Sequence, residues 1–138
     1  MDYGNRVTNA VITELKSGEF FVFGSNLSGI HGGGAARLAL DKFGAKWGQA
    51  EGIQGNSYAI PTKSENIERT LTIDEIRPYV TTFIDLAKRF PEFTFFVTEI
   101  GCGLAGLRHE DVAPLFENAI QFSNIHLPQK FWDVLVKN

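Results

Sequence analysis

Hydrophobic positions along this chain keep two rhythms, and the rhythm changes at glycines. Phe20 to Gly24 is continuously apolar and aromatic, the pattern of a central strand covered on both faces. Phe93 to Ile100 reads as a second strongly apolar strand, broken near its end by Glu99. Between them the spacing turns helical, with Ile76, Val80, Phe83, Ile84 and Ala87 on one face. Thr72 and Glu75 stand at capping-box spacing ahead of that face, although Pro78 moves the expected helix start towards Asp74 or Glu75. Ala35 to Phe43 reads as a shorter helix, closed by Gly44 where a left-handed residue commonly ends one. A further helix is expected from Glu110 or Asp111 to Phe122, with Val112, Leu115, Phe116, Ala119 and Ile120 inward.

Weaker patterns fill the gaps. Ala10 to Leu15 reads as an edge strand, Ser57 to Pro61 as a short strand ending at proline, and Ile125 to Leu127 as a last short strand. Gln129 to Val136 closes the chain as a turn or helix. Ala45 to Asn56, rich in glycine, reads as loop with at most a short turn, and Lys63 to Leu71 as a polar connection. Strands alternating with helices predict an α/β fold, a three-layer α/β/α sandwich around a mixed, mostly parallel sheet. No repeat or linker divides residues 1–138, so a single domain is expected.

Two strand ends carry the chemistry. After the first strand come Asn26 and His31, then Gly32, Gly33 and Gly34 opening the helix that begins at Ala35. Each glycine is a poor helix former, by about 1 kcal/mol relative to alanine, so three together suit binding better than a bare turn. Without Cβ atoms the backbone can approach a ligand, and the free N–H groups and positive dipole end of the first helical turn favour an anion. The second strand runs into Ile100-Gly101-Cys102-Gly103-Leu104-Ala105-Gly106, again ahead of a helix. In parallel α/β sheets ligands sit outside the carboxyl ends of strands. If the two strands are neighbours, the loops form opposite walls of one crevice, rich enough in amides for a diphosphate. No Gly-Lys-Ser/Thr is present, which excludes a P-loop, and His31 to Ala36 does not fit Gly-x-Gly-x-x-Gly.

Composition narrows the partners. Hydrophobic residues are 43% and charged residues 21%, globular values that exclude disorder. Net charge is −3 and no stretch is rich in Lys or Arg, so nucleic acid is not expected as the main partner. Any phosphate must then be held by backbone amides and helix ends. Cys102 is the sole cysteine, which excludes an internal disulfide and a cysteine-based zinc site. No metal and no cofactor is expected. Met1 to Ala10 is polar, without the apolar core of a signal peptide, and no apolar run approaches the roughly 18 residues of a membrane span. The expectation is a cytoplasmic protein with no membrane partner.

Several side chains admit two readings. Asn26 can exchange hydrogen bonds with a sugar hydroxyl or cap the strand in an Asx-turn. His31 can serve as proton shuttle or hydroxyl contact, or be a plain polar loop residue. Glu99 either faces the crevice or anchors a neighbouring amide. His109 and Asp111 belong to the start of the next helix. Cys102 lies beside a helix N-terminus, a placement able to lower a thiol pKa, but without a partner histidine it reads as space-filling. Tyr58, Phe43 and Trp47 are candidates to cover a base or ribose, or else core and lid residues.

With both loops in place, the chain resembles the macrodomain superfamily of ADP-ribose-binding modules. Gly24-Ser25-Asn26 followed by Gly32-Gly33-Gly34-Ala35-Ala36 is similar to that family's asparagine and glycine-rich helix start. Ile100-Gly101-Cys102-Gly103-Leu104-Ala105-Gly106 is similar to its late Ile-Gly-x-Gly-x-x-Gly loop, and the following Leu107 and Glu-Asp-Val, with Lys42-Phe43-Gly44, resemble the terminal ADP-ribose protein glycohydrolase branch. The resemblance covers roughly Phe20 to Phe122. It implies that Asn26 contacts the distal ribose, and that Gly32 to Ala35 and Ile100 to Gly106 bind the diphosphate. It implies as partners ADP-ribose, a related small nucleotide, or an ADP-ribosylated protein. Hydrolysis of ADP-ribosyl conjugates or of ADP-ribose 1''-phosphate is the catalytic form of this reading, with Asn26 or His31 placing a water; a non-catalytic reader is the alternative. Ala105 stands where the glycohydrolase branch has a catalytic aspartate, and Ile12-Thr13-Glu14 where many macrodomains have an adenine-holding Gly-Asp-Ile. The lysine–aspartate mechanism of that branch is therefore not carried over.

Overall fold

Phe21 and Phe23 point to one side of a strand and Val22 to the other, and both sides are buried, as the uninterrupted apolar run requires. This strand, β1 (Glu19–Asn26), is the centre of the computed structural model, which describes residues 3–136. The other strands are β2 (Gly52–Gln54), β3 (Ser57–Lys63), β4 (Thr94–Val97) and β5 (Ile125–His126), in the order β2-β3-β1-β4-β5. All pairings are parallel except the outer pairing of β2 with β3. In register, Phe21 stands opposite Ser57 on one side and Phe96 on the other. The fold is α/β with a five-stranded, mostly parallel mixed sheet, compatible with a three-layer α/β/α sandwich.

Helix α1 (Gly34–Lys42) covers the face of Phe21 and Phe23, through Ala36 and Ala39, with Phe43 just beyond it. The opposite face carries α2 (Ile73–Arg89), α3 (His109–Val112) running into a 3-10 helix over Ala113–Ala119, and α4 (Gln129–Leu135). There Phe83 meets the rings of Tyr58, Phe95 and Phe116 edge-on, with centroids 5.0, 5.4 and 6.4 Å away. Among the described residues no helix is long and apolar enough to cross a membrane.

Burial pushes the Tyr58 phenol up to about 12, with the charge of Glu51 adding to it. A raised phenol favours the fold fully below its ordinary value of 10 and loses that contribution as pH rises towards 12. Thermal melts from pH 9 to 12 should therefore fall more steeply for the wild type than for Tyr58→Phe. Equal slopes would refute the assignment.

Several elements differ from expectation, each for a local reason. Ala10 to Leu15 forms no strand; Val7 bridges Leu127 instead, and Val11 is exposed to 75%. The loop expected from Ala45 to Asn56 contains the edge strand β2. β3 runs past Pro61 to Lys63, because β2 stops pairing at Ala59 and leaves the outer side of Pro61 without a ladder to interrupt. The second apolar strand is shorter than expected: Thr98 still bonds the Val22 carbonyl through its N–H at 3.1 Å and its Oγ1 at 2.8 Å, but the chain then turns, with Ile100 N–H donating to the Thr98 carbonyl at 2.7 Å. The helix expected from Glu110 to Phe122 splits at Pro114, where the missing N–H marks the change from α to 3-10.

Helix α2 starts at Ile73, not at Asp74 or Glu75, with Pro78 inside it. The capping box is complete: Thr72 Oγ1 accepts from Glu75 N–H at 3.2 Å, and the Glu75 carboxylate accepts from Thr72 N–H at 2.9 Å. Pro78 lies on the exposed side of the helix, where the carbonyl it leaves without a donor is open to solvent rather than buried in the core. Thr72→Ala should cost about 1 kcal/mol in a denaturation series.

Candidate functional site

Parallel pairing brings the carboxyl ends of β1 and β4 side by side. Between their loops lies an open crevice of about 590 Å³, walled by Asn26, Gly33, Lys63, Thr98, Glu99 and Leu104. Gly24 sets the spacing at its floor, since a Cβ there would stand 3.4 Å from Gly101 N and 3.3 Å from Thr62 Oγ1. At the rim, Leu104 Cδ1 is 3.7 and 3.6 Å from where Cβ atoms on Gly33 and Gly34 would lie.

The first loop is held by its own polar side chains. Asn26 is buried; its Nδ2 donates to the Ile30 carbonyl at 2.7 Å and its Oδ1 accepts from Ile30 N–H at 3.0 Å. Gly29, at φ +68°, lets the backbone of Gly48 press against this turn, and Gly48 N–H donates to its carbonyl at 2.8 Å. His31 is fully buried, edge-on to Phe23, with Nε2 3.1 Å from Gln54 Oε1. That oxygen also accepts from Lys46 N–H, so Nε2 carries the proton. His31 thus ties the loop to β2 and lies outside the crevice wall. Both side chains of the first loop shape the backbone that the glycines present.

Gly33 is the N-cap of α1 in extended conformation, and no side chain caps the helix. Among the described residues the N–H groups of Gly32, Gly33, Gly34 and Ala35 meet no protein acceptor. The second loop is closed by Leu107 N–H to the Gly101 carbonyl at 2.7 Å and Gly106 N–H to the Gly103 carbonyl at 3.0 Å. Gly101, at φ +74°, makes the turn possible. The N–H groups of Gly103, Leu104 and Ala105 are likewise without a protein acceptor. Two amide-rich edges therefore border one cavity.

Of the residues singled out in the sequence, Asn26, Gly32 to Ala35, Ile100, Gly101 and Gly103 to Ala105 all line the crevice, whereas Cys102 and Gly106 do not. Cys102 packs against the core, where burial, followed by Glu99 and Glu110, pushes its thiol up to about 11 against the opposing pull of Lys130. The helix-end lowering considered for this thiol does not occur. Alkylation by iodoacetamide at neutral pH is expected to be slow, with rapid labelling as the contrary result. Glu99 lines the crevice, while its Oε1 is paired with His109 Nε2, a residue outside the crevice lining. Tyr58 and Phe43 are core residues, and Trp47 is exposed away from the crevice wall. Lys42 stands at the far end of α1. Among the described residues no three His, Cys, Asp or Glu side chains gather to hold a metal ion.

Lys63, Thr62 and Ile67 also line the crevice and were not foreseen. For Thr62 and Lys63 the signal was the end of β3, which borders β1, but that strand extends beyond the proline expected to end it; Ile67 lies in the turn after β3.

No protein-family model matches the sequence, and no curated protein matches it. A solved structure is similar: a protein of unknown function from Bacteroides thetaiotaomicron, at a TM-score of 0.58 and 14% identity, covering 83% of this chain and 88% of that one. At that identity the likeness is one of fold.

Proposed function

We propose that this chain is a macrodomain-like module that binds ADP-ribose, or a related nucleotide-diphosphate sugar, in the crevice between the β1 and β4 loops. One observation carries the reading: two rows of backbone N–H groups without protein acceptors border the same cavity. A diphosphate presents several oxygens at once, and backbone donors at a helix start satisfy them without a cluster of cations. The crevice volume lies within the roughly 300–1,000 Å³ of ordinary small-molecule sites. Lys63 supplies a positive charge on the wall. Asn26 acts by fixing the turn, because both ends of its amide are already hydrogen-bonded to Ile30.

Titration calorimetry with ADP-ribose, AMP and NAD tests the reading. Binding of ADP-ribose near micromolar is the expected result, and no heat with any of the three would remove it. A hydrolytic form would draw on Glu99, a residue of the crevice lining whose carboxylate is shared with His109 Nε2, as the acceptor of a proton from water. Release of ADP-ribose from a modified protein, lost in Glu99→Gln while ADP-ribose still binds, would establish it. Binding without release would make the chain a reader of ADP-ribosylated protein.

A further inference from the structure

Residues Ser64 to Arg69 form a turn with a backbone rarely seen outside glycine. Asn66 and Ile67 are both left-handed, at φ +56° and +59°. Asparagine tolerates this region, but for a β-branched residue it is an outlier that the surroundings must enforce. Those surroundings are the two walls of the crevice. Asn66 N–H donates to Ser28 Oγ at 2.9 Å, and Leu27 N–H donates to the Lys63 carbonyl at 3.0 Å, both joining the turn to the first loop. Thr70 Oγ1 donates to the Ala105 carbonyl at 2.7 Å, joining it to the second. Inside the turn, Ser64 N–H donates to the Arg69 carbonyl, and Arg69 N–H returns a bond to Ser64 Oγ. Arg69 then forks onto the Glu75 carboxylate with two bonds of 2.8 Å, holding that carboxyl down to about 2. The turn is a strap across one end of the cavity, fastened on both sides.

The strap presents an apolar group. Ile67 lines the crevice while 40% exposed, and Leu104, on the second loop, lines the same crevice at 81% exposure. A structural turn has no use for an isoleucine in that conformation, where asparagine or glycine would be easier and isoleucine buries little. The geometry points to Ile67 and Leu104 as an apolar clamp for the planar base of a nucleoside diphosphate whose phosphates lie on the glycine loops. This inference rests on the diphosphate reading above and adds how the nucleoside end is recognised. Saturated side chains grip a ring by its faces and offer nothing to its hydrogen-bonding edges. The clamp therefore favours a base over none, with little choice among bases.

Strain and binding make opposite demands on Ile67, which gives the test. Calorimetry and thermal melts would compare wild type, Ile67→Gly and Ile67→Asn, with ADP-ribose and inorganic pyrophosphate as probes. Glycine and asparagine accept the left-handed backbone, so both variants should melt at or above the wild-type temperature. Both should bind ADP-ribose about tenfold more weakly, with pyrophosphate affinity unchanged, a difference of about 1.4 kcal/mol. Wild-type ADP-ribose affinity in both variants would overturn the clamp while leaving the diphosphate cradle standing. A lower melting temperature in both variants would overturn it too, since Ile67 would then be a packing residue. Wild-type protein that binds ADP-ribose but not pyrophosphate, with the tenfold loss still seen at Ile67, would instead refute the cradle and keep the clamp.

Discussion

Gly33→Val is expected to leave the protein folded and to weaken ADP-ribose binding by about 100-fold or more, roughly 2.7 kcal/mol. Both halves of that statement come from the backbone. Gly33 has φ −153° and ψ 166°, extended values that valine adopts readily. A Cβ there meets only Leu104 Cδ1 at 3.7 Å, ordinary van der Waals contact with a flexible, exposed side chain. The cost to stability should be within about 1 kcal/mol, the difference between a good and a poor N-cap residue. The new side chain, however, stands where the oxygens of a diphosphate would meet the amides of Gly33 and Gly34. A folded variant that still binds ADP-ribose with wild-type affinity would sink the cradle. Gly101→Val makes a poor probe of the same idea, because its φ of +74° and a Leu107 contact at 3.0 Å would strain the fold itself.

Arg6→Ala should be among the most destabilising single substitutions on the surface side of the core, at about 4 kcal/mol. The guanidinium donates to the carbonyls of Ala119, Ile120, Phe122 and Ile125, at distances from 2.7 to 3.1 Å. These carbonyls lie where the 3-10 helix ends and the chain turns into β5, and those of Ala119 and Phe122 also accept backbone N–H groups, from Phe122 and Ile125. The same group lies over the Trp132 ring, 5.1 Å from its centroid, and Trp132 Nε1 donates to the Arg6 carbonyl at 2.7 Å. Hydrogen bonds to a charged group contribute about 1.5–3 kcal/mol each, and a set sharing one donor sums to less than its parts. Arg6→Lys should recover little, since an ammonium cannot reach four acceptors in one plane. Urea unfolding with an unchanged slope and a lower midpoint is the expected measurement; a shift below about 1 kcal/mol would refute the assignment.

How much of this could be read from the chain depends on the range of the forces involved. β1, the capping box at Thr72 and the two glycine loops are written locally, in runs of a few residues, and were legible. Arg6 was not, because nothing near it signals that its partners lie more than 110 residues away. The strand expected at Ala10 to Leu15 did not form, and in that part of the chain it is Val7 that bridges, to Leu127, 120 residues on. β2 was missed because a three-residue strand leaves no periodicity, and Gln54 reveals its importance only through bonds to His31, Lys46 and Gln49. At the site, the glycines were readable as two loops at neighbouring strand ends that border one crevice. The task of Asn26, holding Ile30 rather than reaching outward, needed coordinates. The strap at Ile67 was the least visible, since a left-handed isoleucine has no sequence signature.

The pairing of β1 with β4 also has a kinetic consequence. Thr98 reaches back to Val22 across 76 residues of chain, and the crevice has no second wall until that contact forms. Contacts this distant in sequence close late, after the cost of ordering the intervening loop has been met. A ligand that needs both walls therefore has nothing to hold in an early folding species. Saturating ADP-ribose should slow unfolding and leave the refolding rate nearly unchanged, so the bound molecule acts as a latch on the finished protein and takes no part in guiding its assembly.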